Sequence, residues 1–167
     1  MILGPDQGDA HLTYCTNIHA GETWEEVQRN LALYLPQAKA ALSPSAPFGV
    51  GLRLSGIAAA SLADEDVRND FKAFLAERHL YVFTLNGFPY GDFHGTPVKE
   101  NVYLPDWRDP ARLTYTDQLA DIRADILPDR VSGTISTVPG AFKALIRTDE
   151  DVSAMMQNMV RHVAHLV

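Results

Sequence analysis

Two hydrophobic periods alternate along this chain. Short apolar runs rich in β-formers, at residues 11–16, 48–54, 80–85 and 133–137, predict four strands. Between them the apolar positions recur at helical spacing. Thr23 and Glu26 fit a capping box, with the hydroxyl accepting the N3 amide and the carboxylate reaching back to the cap. Trp24, Val27, Leu31, Tyr34, Leu35, Ala38 and Leu42 then mark one helical face. Pro36 lies inside that pattern and predicts a kink or the start of a second segment. Residues 43–47 break the pattern, and the small residues 56–63 read as a connection. A helix over about residues 64–79 follows, with Val67, Phe71, Phe74 and Leu75 on its inner face. The run 80–85 is almost continuously apolar, as in a strand buried on both faces. Asp109 before Pro110 starts a helix that buries Tyr115, Leu119, Ile122 and Ile126, and Pro128 ends it. Residues 138–143 form the exit loop of the fourth strand. Thr148 or Asp149 caps a last helix with Val152, Met155, Met156, Met159, Val160 and Val163 on its apolar face.

Strand and helix therefore alternate as four consecutive βα units, which predicts an α/β fold with parallel strands and right-handed crossovers. No Gly/Ser linker, low-complexity tract or charge block divides residues 1–167, so they read as a single domain. Four units fit either an open doubly wound sheet or half of a (β/α)8 barrel, a fold that typically needs about 250 residues. Both place function at the C-terminal ends of the strands, where Asn17, His19, Ser55, Asn86, His94 and Pro139 fall.

One stretch belongs to neither period. Residues 84–107 run from the third strand to the next helix and carry Phe88, Tyr90, Phe93, Tyr103 and Trp107 among glycines and prolines. A connection this long is usually functional or disordered, and its aromatic content points to an ordered loop over a site.

Composition narrows the picture. The net charge is −7 and the 14 basic residues are scattered, which argues against a nucleic-acid partner. A single cysteine, Cys15, forbids an internal disulfide and suits the cytoplasm. The N-terminus has no basic region followed by an apolar run, and no stretch approaches the roughly 20 apolar residues of a membrane span. Dinucleotide, P-loop, nucleophile-elbow and structural-zinc motifs are absent.

The remaining candidates have a chemical and a structural reading each. His19 and His94 are the groups for proton transfer or metal contact, or else loop histidines bonded to backbone. Arg53, near the end of the second strand, would hold a phosphate or carboxylate, or pair with an acidic neighbour. Asn86 would bond a ligand hydroxyl, or form a turn with Gly87. Lys99 and Glu100 read as a solvated pair. His162 and His165 suit the dipole at a helix C-terminus, the methionines suit a core, and Cys15 reads as a buried strand residue.

Several long motifs resemble one family. Residues 12–22 (LTYCTNIHAGE), 51–55 (GLRLS), 84–95 (TLNGFPYGDFHG), 98–107 (VKENVYLPDW) and 136–140 (STVPG) are similar to the EboE-type metabolite traffic proteins. The resemblance covers nearly the whole chain and implies a xylose-isomerase-like TIM barrel, of which these residues would be the N-terminal half. Family members are more than twice as long, so the resemblance implies a fragment, or a chain that self-associates or needs a missing C-terminal half. It implies binding or modification of a small polar metabolite for export, with a membrane prenyltransferase of the same operon as a partner. The alternative within the superfamily is a divalent-metal-dependent sugar-phosphate isomerase or epimerase, whose metal ligands would come mainly from later strands. Under this reading Asn17, Arg53, Asn86, Tyr90 and Lys99 bind substrate, His19 and His94 carry the chemistry, and the loop aromatics close over the ligand.

Overall fold

The computed structural model describes residue 2 and residues 10–91, 99–129 and 131–167. Its centre is one four-stranded sheet, all parallel, in the order β1 (Thr13–Cys15), β2 (Phe48–Arg53), β3 (Leu80–Asn86), β4 (Thr134–Ser136). The helices are α1 (Trp24–Leu42), α2 (Gly56–Leu62), α3 (Glu65–Glu77), α4 (Pro110–Ile126) and α5 (Asp149–His165). The expected alternation and parallel pairing are both present, and one helix more than expected.

That extra helix is α2, where the small residues had read as a connection. The Ser55 hydroxyl caps it by accepting the Ala58 amide at 3.0 Å, and Ala58, Ala59 and Leu62 are fully buried. Small side chains let this turn lie close to its neighbours, so the feature that suggested a linker serves packing instead. α1 runs as one helix through Pro36, with no second segment. Pro36 and Ala32, whose carbonyl the proline leaves without an amide, are both exposed residues, so the lost bond falls on the solvent side of the helix. The Thr23–Glu26 capping box forms as read, and Thr148 caps α5 with Asp151.

The main core lies between the helices and one face of the sheet. Phe48, Val50 and Leu52 of β2, with Leu80, Val82 and Leu85 of β3, pack there against Leu31 and Leu35 of α1, Phe71 of α3 and Leu119 and Ile122 of α4. The expectation that β3 is buried on both faces holds only for its first half. Phe83, Thr84 and Asn86 are half-buried, because no helix covers the other face of the sheet among the described residues. A register shift between Val50 and Gly51 leaves Phe83 as an extra residue in β3. His11 stacks on it, ring centroids 4.5 Å apart, and bonds the Tyr81 hydroxyl at 2.9 Å.

A smaller cluster of Trp107, Val138 and Met155 docks α5. His162 and His165, read as dipole partners at a helix end, reach across to α4 and bond Asp117 at 2.6 Å and Asp121 at 2.8 Å. The Asp121 carboxylate raises the His165 pKa above its ordinary value. That pair therefore stabilises the fold fully below the unfolded-state pKa of 6.5 and fades as pH rises through the raised folded value. The melting temperature of the native chain should fall relative to a His165→Gln variant as pH is raised across this range. A difference between the two that stays constant with pH would refute the coupling.

Candidate functional site

The C-terminal half of the sheet presents a polar face. Parallel pairing puts Cys15, Gly51, Thr84 and Thr134 on one level, and Arg53, Asn86 and Ser136 on the next. Neighbouring residues of a parallel sheet share a face, so these two rows lie together, away from the helices. Thr84 and Thr134 share a hydrogen bond between their hydroxyls at 2.8 Å, and the Ser136 hydroxyl donates to Asn86 Oδ1 at 2.7 Å. The Asn86 oxygen also accepts the Phe88 amide at 3.3 Å, so the expected turn role and the strand-end position coincide in one side chain. Cys15 is exposed, not buried as read, and its thiol contacts Asn17 Oδ1 at 3.3 Å. In the middle, Gly51 keeps the floor shallow, since a Cβ there would stand 3.2 Å from the Thr13 hydroxyl.

Arg53 closes this face at the strand ends. It is almost fully buried, and its Nη1 donates to Glu22 Oε1 at 2.7 Å and to the Gly21 carbonyl at 2.8 Å. Its Nη2 donates to the carbonyls of Gly91 at 2.6 Å and Pro89 at 3.4 Å. The Arg53 amide in turn donates to the Thr16 hydroxyl at 2.9 Å. The acidic neighbour of the sequence reading is thus Glu22, and the same guanidinium ties the loop after β1 to the start of the loop after β3.

A second buried guanidinium holds that long loop at both feet. Arg112 of α4 donates from Nη1 to the Gly87 carbonyl at 2.8 Å and from Nε to the Pro105 carbonyl at 2.8 Å. It lies 5.3 Å from the Tyr115 ring centroid and 5.8 Å from that of Tyr90. Burial pulls its pKa below the usual arginine value. Tyr115, whose hydroxyl donates to the Leu54 carbonyl, has its own pKa raised by burial. Tyr90 rests on Gly56, where a Cβ would stand 2.5 Å from the phenol ring. The far foot is fixed by Trp107, whose indole N–H donates to the Val138 carbonyl at 3.1 Å and whose own carbonyl accepts Asn158 Nδ2 at 2.9 Å.

Of the sequence candidates, Asn17, Arg53 and Asn86 gather at the strand ends. His19 is near them but engaged. Its Nε2 bonds the Tyr14 hydroxyl at 2.8 Å and its ring stacks on Tyr34, centroids 3.9 Å apart. His19 and Arg53 line one cavity of about 10 Å³ with Thr16 and Asn30, room for a single water at most. Tyr34, expected to face the core, is exposed and serves this stack. Tyr90 packs beneath the loop against Tyr115, and Lys99 stands exposed at the start of a short 3-10 turn, so neither joins the polar face. His94 lies outside the described residues.

The sequence reading overlooked Thr84, Thr134, Ser136, Glu22 and Arg112. Arg112 had a signal: it stands three residues before Tyr115, in step with the buried stripe of its helix, where a charge is out of place. The hydroxyl rows had none, because their meaning comes only from strand pairing.

Among the described residues, no group of three or more His, Cys, Asp or Glu side chains is placed to hold a metal ion. No described helix is long and apolar enough to cross a membrane. No protein-family model, curated protein or solved structure matches the chain.

Removing the Arg112 side chain leaves two buried carbonyls without donors, at about 1–3 kcal/mol each. Arg112→Ala should lower unfolding stability by about 2–6 kcal/mol and speed proteolytic cleavage between Gly87 and Pro105 before global unfolding. Urea melts and limited proteolysis read both effects, and an unchanged cleavage pattern would show that the loop does not depend on this residue.

Proposed function

We propose that the chain is one half of a barrel-type protein of the EboE kind, binding a small polar metabolite at the C-terminal ends of its parallel strands. The observation that carries this is the double row of hydroxyl and amide groups on the open face. Thr84, Asn86, Thr134 and Ser136 supply donors and acceptors at strand spacing, and Cys15 continues the row at β1, with Asn17 Oδ1 accepting from its thiol from the turn that follows. Such a surface exchanges hydrogen bonds with a polyhydroxylated ligand one for one, and it offers an apolar ligand little. Its position at strand ends is where parallel α/β sheets carry their ligands. The strand order 1-2-3-4, with every pair parallel, supports the half-barrel reading. In a doubly wound sheet the strand order reverses at a switch point, and this one does not reverse.

In this site Asn86 and Ser136 make direct hydrogen bonds to ligand hydroxyls, Asn17 reaches in from the β1 exit, and Arg53 fixes the loops that frame the opening. The reading is tested by titrating sugars, sugar phosphates and polyols into isotopically labelled protein and following amide shifts. Shifts should concentrate on residues 13–17, 84–87 and 134–137. Ser136→Val with Asn86→Leu should abolish them while lowering unfolding stability by about 1–3 kcal/mol, because the Phe88 amide loses its acceptor, and should leave the circular dichroism spectrum of the folded chain unchanged. Shifts elsewhere, or shifts retained in the double variant, would remove the reading.

A further inference from the structure

Trp107, the far foot of the long loop, is held from α5 as well as from its own segment. Asn158 Nδ2 donates to the Trp107 carbonyl at 2.9 Å, and the His162 ring centroid lies 5.7 Å from that of the indole. Asn158 and His162 stand one helical turn apart, and Met155 and His165 continue the same face of α5 in either direction. That face meets two different surfaces. Upstream, Met155 and Asn158 meet Trp107 and Val138. Downstream, His162 Nδ1 lies 2.6 Å from Asp117 and His165 Nε2 lies 2.8 Å from Asp121, two rungs between α5 and α4.

The attachments of α5 differ in what can switch them. At its first turn, Arg108 donates to Asp151 Oδ1 at 3.1 Å and to the Leu145 carbonyl at 2.9 Å, and a guanidinium keeps its charge throughout the physiological range. The Asn158 bond is neutral. The histidine rungs change charge near neutrality. Protonated, each is an ion pair strengthened by a hydrogen bond; neutral, each is the weaker contact of an uncharged ring with a carboxylate. The other charged groups on these elements are engaged elsewhere or exposed. Arg112 is committed to the Gly87 and Pro105 carbonyls, Arg123 to that of Gly133, and Asp125 to Arg68 and Lys72. Asp106 pairs with Arg108, and Arg161 is exposed beside His162. Lys143, Arg147, Asp149 and Glu150 are exposed around the opposite end of α5. We propose that the His162–Asp117 and His165–Asp121 rungs make α5 a pH-responsive clamp on the far foot of the loop: protonation seats the helix and holds Trp107, and deprotonation loosens both. Asp121 keeps the His165 pKa above its ordinary 6.5, so the clamp is complete below that value and weakens as pH rises through the raised one. Trp107, Val138 and Met155 form a cluster separate from the main core, so the loosening stays local to it.

Hydrogen exchange at Trp107 tests this. Its amide donates to the Gly140 carbonyl at 3.0 Å and its indole N–H to the Val138 carbonyl at 3.1 Å, so both report the foot. The amides of Val50 and Val82, in the paired central strands, report opening of the core. Protection factors are followed from about pH 5.5 to about pH 8.5, each corrected for the intrinsic exchange rate at that pH. In the native chain, protection at Trp107 should fall at least about tenfold more than at Val50 and Val82 across this range. The excess should vanish in His162→Gln with His165→Gln, and separately in Asp117→Asn with Asp121→Asn. Circular dichroism confirms the fold of each, and either double variant suffices if the other does not fold. An equal fall at Trp107 and the core strands overturns the proposal, because the histidines would then act on global stability alone. An excess fall that persists in a folded double variant overturns it as well, since some other group would be titrating.

Discussion

A buried guanidinium at the end of the central strand governs this architecture. Arg53 sits where β2 leaves the sheet, with almost no access to water. A charge in that position is tolerated only if acceptors surround it. Four are supplied, and they come from two separate segments: Glu22 and the Gly21 carbonyl before α1, and the Pro89 and Gly91 carbonyls after β3. The side chain therefore dictates where both loops stand. Arg112 repeats the device one layer down, with Gly87 and Pro105 as its acceptors. In both cases the charge is matched mainly by backbone oxygen, which fixes chain path more than it fixes side chains. The loops at the strand ends are held from beneath, and the polar face beside them stays open.

What could be read from the sequence divides along the range of the interaction. The capping box at Thr23 is local, and its three-residue spacing predicts it directly; for the last helix the sequence allows Thr148 or Asp149 as the cap, and the structure takes Thr148. The parallel α/β plan was legible for the same reason, because each strand and each long helix declares its own period. The failures lie where a neighbour far along the chain decides. Glu22 and Arg53 are separated by 31 residues, and nothing in either segment names the other. Tyr34 fitted the apolar stripe of α1, yet His19 claims it as a stacking partner. The helix at Gly56–Leu62 was hidden because alanine and glycine mark both linkers and tight packing. Only the capping bond from Ser55 and the ring of Tyr90 overhead make the second meaning apparent.

The two faces of the sheet have opposite characters. One is Phe, Val and Leu against helices, and the other is Thr, Ser, Asn and Gly with a patch of His11, Tyr81 and Phe83 at its N-terminal end. A parallel sheet buried on both sides normally reads as unbroken apolar runs. The hydroxyls here are compatible with burial only because they bond one another across strands. They also leave the surface able to accept polar contacts, whether from a ligand or from the side chains of a facing half.

The extra residue in β3 has a consequence for how this surface can change over evolution. Before Phe83 the even-numbered residues Leu80 and Val82 face the helices; after it the odd-numbered Leu85 does. The irregularity works as a frameshift within a strand. Removing that one residue would restore simple alternation and leave the pairing beyond it unchanged, with Leu85 still beside Leu52 in the core and Thr84 and Asn86 still on the polar face. Substitutions can retune the polar face one group at a time. A single-residue deletion at Phe83 would be absorbed by the irregularity, whereas pairing β3 in simple alternation with Phe83 retained would turn Thr84 and Asn86 toward the core and Leu85 into the open, so the bulge is what keeps the two sides of the strand distinct.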